Sequence, residues 1–491
     1  MSTTDGKISS GLEALDGILG GGFVKGRIHL VEGAPGTGKT TLGLQFLMNG
    51  RDRGERTLYI TLSESKGELN AVGRGHGWNL DGIEIVELPP PGDLNGAAGQ
   101  TVFHSSEVEL GETTRELFET IGRIRPDRLV LDSLSEVRLL SESPLRYRRQ
   151  ILALKQFLLK NGATVILLDD MTTTTHDLQL HSIVHGVITL EQLALEYGAE
   201  RRRLRVTKMR GTRFAGGFHD YSIRTGGIKI FPRLVAIPPA TAFDKKIVNS
   251  VSHQLDDILG GGLRRGTSTL LIGPAGSGKS SVALSYVVAA AKRGEHAALF
   301  AFDETFESII DRSAGIGLPI EPYLKDGLIT LTQINPAEMS PGEFTGMVCD
   351  IVKTKKAKVV VIDSLNGLLN AMPDERHLIL QVHELLTFLS QRDVLTLMII
   401  AQHGLVGPMI NPLDLSYISD NVLLLRYFEA AGQIRKAISV MKKRVGSHQD
   451  TIRELRISDT GLQVGEPLAE FQGIMTGVPA YTGPQKLLKS Q

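Results

Sequence analysis

Two glycine-rich segments in this chain of 491 residues have the residue types and spacing of a phosphate-binding loop. Both fit the pattern G-x-x-x-x-G-K-[ST], in which glycines let the backbone wrap tightly and point its N–H groups inward. Each segment follows a short apolar stretch and precedes a helix-like stretch, which a glycine-rich turn without a ligand does not require. The residues expected to contact nucleotide are Gly33, Gly36, Thr37, Gly38, Lys39, Thr40 and Thr41 in the first loop, and Gly273, Gly276, Ser277, Gly278, Lys279, Ser280 and Ser281 in the second.

The polar residues that close each loop have separate tasks in this chemistry. Lys39 and Lys279 would reach the terminal phosphates of ATP, and the hydroxyls of Thr40 and Ser280 would ligate Mg²⁺. The positive N-terminal end of the following helix adds to the attraction for phosphate. The two loops therefore predict two sites for ATP and Mg²⁺ in one chain.

Acidic residues follow later apolar stretches in both halves. Asp132 ends RLVLD and Asp363 ends VVVID, so each is predicted to hold the magnesium shell at the end of a buried strand. A helix N-cap is the alternative use of an Asp at such a position. Glu64 and the pair Asp303-Glu304 follow another strand, where they are expected to activate the attacking water. A solvated loop acid is the alternative for these residues.

The chain repeats itself over a long distance. Asp16 and Asp256 open matching DGILGGG and DDILGGG segments, and both this pair and Gly33 with Gly273 are separated by 240 positions. A register held this far indicates duplication of a whole domain. The predicted organisation is a first domain at 1–235, a linker at 236–250, a second domain at 251–465, and at 466–491 a tail that is poorly ordered or docks on the domain.

Short apolar stretches alternate with helix-like stretches in both halves, which predicts an α/β fold with a mostly parallel sheet flanked by helices. The predicted strands are Ile28–Val31, Thr57–Thr61, Leu129–Leu131 and Val165–Leu168 in the first half, and Thr269–Ile272, Ala297–Phe302, Val359–Ile362 and Leu395–Ile400 in the second.

The composition, with 41% hydrophobic and 22% charged residues, is typical of a globular protein. The 54 basic residues equal the 54 acidic ones, which argues against a protein that mainly coats nucleic acid. The single cysteine, Cys349, excludes an intrachain disulfide and a cysteine-rich zinc module. Neither a leader pattern nor a long apolar run is found, so we expect a cytoplasmic protein without a membrane partner.

The GGG segment before each loop, the acids after the second strand and a late K-x-R element together resemble the KaiC family of RecA-like ATPases over nearly the whole chain. The K-x-R elements are Lys208-Met-Arg210 and Lys442-Lys-Arg444. The resemblance implies two tandem RecA-like P-loop NTPase domains and a homo-hexamer, with a double ring as one arrangement. It also implies that these cations contact the γ-phosphate bound by a neighbouring subunit, where an Arg fork neutralises developing charge. Without the resemblance, a surface pair on an edge strand is the simpler interpretation.

The sequence departs from the family pattern in two places. The family's acidic pair is Glu-Glu, whereas here it is Ser63-Glu64 in the first half and Asp303-Glu304 in the second. Autophosphorylating members carry an adjacent Ser and Thr, whereas here Tyr417 follows Ser416. Ser416 and Ser419 are therefore the candidate phosphorylation sites, with a role in lining a subunit interface as the alternative.

Three functions are compatible with these features. The first is a KaiC-type signalling ATPase that forms a nucleotide-dependent hexamer, acts on signalling-protein partners and phosphorylates itself on Ser or Thr in the second domain. The second is a DNA-dependent ATPase of the RecA/RadA type, against which the neutral charge and the absence of a recognisable DNA-binding appendage count. The third is an ATP-bound scaffold without kinase activity.

Overall fold

The computed structural model describes residues 6–88, 106–139, 141, 143–171, 178–195, 198–235, 246–370, 375–402, 415–430, 432–474 and 480–482. The chain divides into two compact units, residues 1–233 and 234–491. Each unit is described by itself.

The first unit alternates strands and helices. Its strands are β1 (Lys7–Ile8), β2 (Phe23–Val24), β3 (Ile28–Gly33), β4 (Thr57–Thr61), β5 (Glu84–Glu87), β6 (Arg128–Asp132), β7 (Thr164–Asp169), β8 (Gly186–Leu193), β9 (Arg201–Met209), β10 (His219–Arg224) and β11 (Gly227–Phe231). Its helices are α1 (Glu13–Ile18), α2 (Lys39–Arg51), α3 (Lys66–Gly75), α4 (Ser106–Ile124), α5 (Leu134–Leu139), α6 (Pro144–Asn161) and α7 (Leu178–Ile183).

The second unit repeats this order. Its strands are β12 (Ile247–Val248), β13 (Leu263–Arg264), β14 (Ser268–Gly273), β15 (Ala297–Ala301), β16 (Ile329–Gln333), β17 (Val359–Asp363), β18 (Leu395–Ala401), β19 (Asn421–Ala430), β20 (Gln433–Lys443), β21 (Arg453–Ser458), β22 (Gly461–Pro467), β23 (Phe471–Gln472) and β24 (Ala480–Tyr481). Its helices are α8 (His253–Ile258), α9 (Lys279–Lys292), α10 (Phe306–Gly315), α11 (Glu321–Lys325), α12 (Pro341–Lys355), α13 (Leu365–Asn370) and α14 (Glu375–Ser390).

Within the described residues, each unit contains one nine-stranded sheet. The strand orders are β11-β10-β9-β8-β3-β7-β6-β4-β5 and β16-β15-β17-β18-β14-β19-β20-β21-β22. In the first sheet the neighbours along β8-β3-β7-β6-β4-β5 pair in parallel, and in the second those along β16-β15-β17-β18-β14-β19 do so. Antiparallel strands extend one edge of each sheet. The predicted α/β class with two tandem, mostly parallel sheets is confirmed.

Central strands β3 and β14 are buried at every residue because helices cover both faces of the sheet. In the first unit, Leu42, Leu44 and Phe46 of α2 pack in one core with Val130 and Ile166 of the sheet. Each such fully buried side chain contributes about 1.5–3 kcal/mol. This packing fixes the start of α2, and therefore the phosphate loop, at the C-terminal end of β3.

The linker predicted at 236–250 is wrong at its C-terminal end. Ile247–Val248 is strand β12, which pairs with Leu263–Arg264 just as Lys7–Ile8 pairs with Phe23–Val24 in the first unit. The backbone N–H of Ser250 also donates to the Asp256 carboxylate. Residues 236–245 lie outside the described part of the chain. The duplicated fold therefore begins before residue 251, because the repeat includes its first short strand.

Part of the tail expected at 466–491 is folded against the second unit. Phe471 packs edge-on against Phe428 and Tyr481, with ring centroids 5.3 Å apart in each case, and Ile474 is buried. These aromatic contacts are the reason that the segment docks, although its sequence shows no clear periodicity.

Among the described residues, no helix combines the length and apolar character needed to cross a bilayer. Cys349 is a buried free thiol.

Candidate nucleotide-binding sites

Each phosphate loop leaves the end of a buried central strand and turns directly into a long helix. Gly38 and Gly278 precede α2 and α9 with φ angles of 90° and 106°, a left-handed conformation that favours glycine. A Cβ at Gly38 would lie 2.6 Å from Cδ1 of Ile223, and one at Gly278 would lie 2.6 Å from Cδ1 of Ile457. Both loops therefore need glycine at this position for conformation and for space.

The loop lysine of the first unit is fully engaged. Nζ of Lys39 donates to the carbonyl oxygens of Gly33 at 2.8 Å and Ala34 at 3.1 Å. It also lies 2.8 Å from Oδ1 of Asp170, which follows β7. These three acceptors use all three donors of the ammonium group.

The loop lysine of the second unit has the same backbone partners but a different charge environment. Nζ of Lys279 donates to Gly273 at 2.9 Å and Pro274 at 2.6 Å. Burial lowers the pKa of Lys279 to about 8, although the charge of Asp363 acts in the opposite direction. A bound phosphate would add a further counter-charge beside this buried ammonium.

The predicted magnesium-side residues of the first unit lie together. The Thr40 hydroxyl donates to Oδ2 of Asp132 at 3.3 Å, and the Tyr59 hydroxyl donates to the same oxygen at 2.5 Å. Burial raises the pKa of Asp132, and the Tyr59 hydrogen bond counteracts this effect.

The second unit repeats this pair without the tyrosine. The Ser280 hydroxyl hydrogen-bonds Asp363, whose pKa is raised chiefly by burial. Asp132 and Asp363 therefore share a partner of the same kind, the hydroxyl group of the phosphate loop. The peptide bonds Asp132–Ser133 and Asp363–Ser364 are both cis.

The chemistry of these side chains fits Mg²⁺ bound together with a nucleotide. A hydroxyl and a carboxylate supply the oxygen ligands that Mg²⁺ prefers, and phosphate oxygens complete its shell. Among the described residues, no cluster of three or more His, Cys, Asp or Glu could hold a metal ion by itself. The residues suit a metal that arrives with the phosphates.

Glu64 lies where the sequence places a water-activating carboxylate. Burial, together with the charges of Asp132, Glu68 and Asp170, raises its pKa to about 7, although the charge of Lys39 acts in the opposite direction. Its Oε2 is buried and has no hydrogen-bond partner among the described residues. Such a carboxyl group can accept a proton near neutral pH.

The corresponding acids of the second unit are held by other side chains. Glu304 forms a two-point ion pair with Arg312, with N···O distances of 3.1 and 2.6 Å. Asp303 accepts a hydrogen bond of 2.6 Å from the Ser364 hydroxyl. Position 72, which the repeat aligns with Arg312, is Val in the first unit, so Glu64 lacks this partner.

A cleft of about 600 Å³ in the second unit brings these residues together. Its walls include Lys279, Ser280, Asp303, Glu304 and Asp363. The volume is in the range of small-molecule and cofactor sites. Most of the predicted phosphate-loop residues of this unit therefore line one cleft together with the predicted magnesium and water-activating residues.

Comparison with known families and curated proteins agrees with this geometry. The family model described as "ATPase: KaiC" matches residues 8–235 and, a second time, residues 248–469. The chain belongs to the KaiC ATPase family.

Relatives in this family match the chain over nearly its full length. The circadian clock protein KaiC3 of Synechocystis sp. (strain ATCC 27184 / PCC 6803 / Kazusa) is 27% identical, with 99% of this chain and 97% of that protein aligned. The circadian clock oscillator protein KaiC of Parasynechococcus marenigrum (strain WH8102) is 26% identical over 96% of this chain and 93% of that protein. KaiC of Synechococcus elongatus (strain ATCC 33912 / PCC 7942 / FACHB-805) is 27% identical, with 96% of this chain and 92% of that protein aligned.

The first K-x-R element of this KaiC-family chain lies far from its own phosphate loop. Lys208 pairs across the strands with Val187, and the backbone N–H of Arg210 donates to His185, which in turn donates to Ile28 at the start of β3. The loop begins at the opposite end of β3, roughly 15 Å away at about 3.3 Å per residue. Lys208 and Arg210 therefore do not reach the phosphates of their own site.

The second K-x-R element lies in the same place in its own unit, near the start of the central strand β14. The backbone N–H of Arg444 donates to Asp420, which donates to Ser268 at the start of β14. The Arg444 side chain also pairs with Asp420 at 3.1 Å. Lys442 donates to the carbonyl oxygen of Ser416 at 2.8 Å. The whole group lies at the end of β14 that is opposite Lys279.

The two candidate phosphorylation sites differ in accessibility. Ser419 is 0% exposed, and its hydroxyl donates to the Leu415 carbonyl at 2.9 Å. Ser416 is partly exposed and lies beside Lys442. Of the two residues, only Ser416 is partly exposed in this structure.

Sequence reasoning missed several residues that shape the sites. Tyr221 donates to the carbonyl oxygen of Thr37 in the first loop, Tyr59 binds Asp132, and Asp170 binds Lys39. Tyr221 lies far from the loop in sequence, so the sheet order has to be known before it can be placed. Asp170 carried a usable signal, because it directly follows an apolar strand.

Proposed function

We propose that this chain binds and hydrolyses ATP at both phosphate loops. The observation that carries the proposal is the repeated arrangement of a loop lysine, a loop hydroxyl and a strand-end aspartate in two separate units. Its support is local chemistry, since a buried ammonium, a hydroxyl–carboxylate pair and a carboxylate available to water are the parts that phosphoryl transfer uses.

Each protein group has one role in the proposed hydrolysis. The loop N–H groups and Lys39 or Lys279 orient the β- and γ-phosphates, and Thr40 with Asp132, or Ser280 with Asp363, would hold Mg²⁺. Bound Mg²⁺ neutralises negative charge on the phosphates. Glu64 in the first site, and Glu304 with Asp303 in the second, orient the attacking water and take up its proton.

Phosphate release from ATP by the full chain tests the proposal. We expect hydrolysis by the wild-type chain, partial loss in Lys39→Ala and in Lys279→Ala, and complete loss in the double variant. Equal rates in the wild type and the double variant would assign the activity to a contaminant and refute the proposal.

We also propose that the chain assembles into a hexamer in which the K-x-R elements act on the neighbouring subunit's nucleotide. The support is their placement at the end of the sheet opposite their own loops. Light scattering with and without ATP measures the assembly. A monomer under both conditions would contradict it.

We further propose Ser416 as an autophosphorylation site in a KaiC-like signalling protein. Its support is the partial exposure of Ser416 and its contact with Lys442, which would face the neighbour's γ-phosphate in the assembly. Incubation with γ-labelled ATP should label the wild type, but not Ser416→Ala or Lys279→Ala, whereas Ser63→Ala, the control, keeps the label. An unlabelled wild type leaves an ATPase without autokinase activity.

A DNA-dependent ATPase remains the alternative within the same fold. The balance of 54 basic and 54 acidic residues disfavours it. Hydrolysis rates with and without single-stranded DNA distinguish the two functions, and a strong stimulation would favour the DNA-dependent enzyme. We propose a cytoplasmic location and signalling-protein partners on the family relationship alone.

A further inference from the structure

Asp170 makes the two nucleotide sites of the chain unequal. β7 pairs in parallel with β3, and Glu32 is in register with Asp169. Asp170, the next residue, therefore lies beside the start of the phosphate loop. In the second unit the residue level with Gly273 is Ala401. The first site therefore has a carboxylate beside its loop lysine at a position where the second site has a methyl group.

The contacts of Asp170 hold it in place. Its Oδ1 lies 2.8 Å from Nζ of Lys39, and its Oδ2 accepts a 3.0 Å hydrogen bond from Ser135. Burial disfavours its ionised form, but the hydrogen bond and charge of Lys39 outweigh burial and lower the pKa of Asp170. The neighbouring Asp169 is not an alternative partner, because Arg138 binds it at 2.7 Å.

Lys39 is left with no donor for a nucleotide. Its ammonium group has three N–H bonds, and the two loop carbonyls and Asp170 accept all of them. Lys279 has only the two loop carbonyls as hydrogen-bond acceptors within the described residues. A phosphate that reaches Lys39 must displace a carboxylate, whereas one that reaches Lys279 meets an N–H bond that no described residue accepts.

We propose that Asp170 is a positioning residue that competes with the nucleotide phosphate for Lys39 and so weakens ATP binding at the first site relative to the second. This inference rests on the proposed ATP-binding function of the first loop. Removal of the carboxylate should tighten first-site binding, whereas loss of a merely structural contact would weaken binding or leave it unchanged.

The decisive variant is Asp170→Asn, which keeps the side-chain shape and the Ser135 partner but removes the charge. Binding of N-methylanthraniloyl-ATP is measured on the full chain carrying Lys279→Ala, so that only the first site contributes. We expect the dissociation constant to fall about fivefold, since a partly exposed charge-assisted hydrogen bond is removed. The control is Asp127→Asn, which removes a carboxylate at the other end of the sheet and should leave the constant unchanged.

The reciprocal variant tests the same idea by placing a carboxylate in the second unit. Ala401→Asp, in a chain carrying Lys39→Ala, should weaken binding at the second site by a similar factor. Unchanged or weaker binding in Asp170→Asn would overturn the proposal. If Lys279→Ala chains bind no nucleotide with either residue at position 170, while Lys39→Ala chains do bind it, the failure lies in the proposed function of the first loop.

Discussion

The proposed catalytic acids show at the level of single residues that the duplicated sites have diverged. Glu64 is half-buried among other carboxylates and has no counterpart of Arg312, so its pKa is raised to about 7. Glu304 is instead fixed by the Arg312 guanidinium. The sequence alone shows that Ser63 stands where the family has an acid. The presence or absence of an arginine partner changes the environment of Glu64 and Glu304 more directly.

Hydrolysis at the first site should depend on ionisation of Glu64. Only the ionised carboxylate accepts a proton, so in chains carrying Lys279→Ala we expect kcat/KM to fall about tenfold per pH unit below a pH of about 7. Glu64→Gln should lower kcat by about a hundredfold or more. The pH profile of phosphate release measures both effects.

The control is Glu84→Gln, which neutralises an exposed carboxylate of β5 and should keep the wild-type profile. A first-site profile that is flat between pH 5.5 and 8, values chosen to bracket the raised pKa at about 7, would contradict the role of Glu64 as the base.

At the level of elements, the start of each loop helix depends on a glycine in a left-handed conformation. Gly38 and Gly278 combine positive φ with a side chain from the antiparallel strands pressed against them, Ile223 in the first unit and Ile457 in the second. The phosphate loop therefore follows a parallel strand of each sheet, and a side chain from the antiparallel strands packs against its last glycine.

Gly278→Ala should weaken nucleotide binding at the second site and lower the free energy of unfolding by about 1–2 kcal/mol, the cost of a left-handed alanine. Denaturant unfolding and nucleotide titration in chains carrying Lys39→Ala measure both. Gly315→Ala is the matched control, because Gly315 ends α10 without a positive φ and has open space at its Cβ. It should be neutral or stabilising by up to about 1 kcal/mol. Equal behaviour of the two variants would contradict this account.

For the whole molecule, the proposed assembly rests on the placement of both K-x-R elements within their own units. Each unit carries its loop at one end of the central strand and its Lys and Arg at the other. A parallel sheet fixes this separation, since all loops at the strand C-termini lie on one edge. The basic residues thus lie away from the phosphate loop of their own unit, which is why we propose that they act on a neighbouring subunit's nucleotide.

Mixing of inactive chains tests this arrangement. All chains in this experiment carry Lys39→Ala, so that only the second site is measured. Added singly to this background, Lys279→Ala should abolish second-site hydrolysis, and Arg444→Ala should do the same. Mixed subunits should regain part of the activity, because an intact loop on one chain meets an intact Arg444 on the next. Phosphate release from the mixture measures the recovery, and full activity of Arg444→Ala alone would refute the trans role.

Local pattern was sufficient to predict the fold class, both phosphate loops and the positions of the central strands. A phosphate loop is a contiguous motif whose glycines, lysine and hydroxyl have a fixed spacing, and buried parallel strands are short apolar runs. Strand Thr57–Thr61 occurs as predicted, and the others differ by one or two residues at their ends. Features that depend on residues adjacent in sequence can therefore be predicted from the sequence alone.

Tertiary structure alone decided which partners the predicted residues have. Lys39 meets Asp170, Glu304 meets Arg312, and Tyr221 reaches the first loop, because strand order and helix packing bring distant segments together. The sequence determined that this protein has two nucleotide sites of one kind. The folded structure determined that they are unequal, since charge and hydrogen bonding act through space over a few ångströms and not through sequence separation.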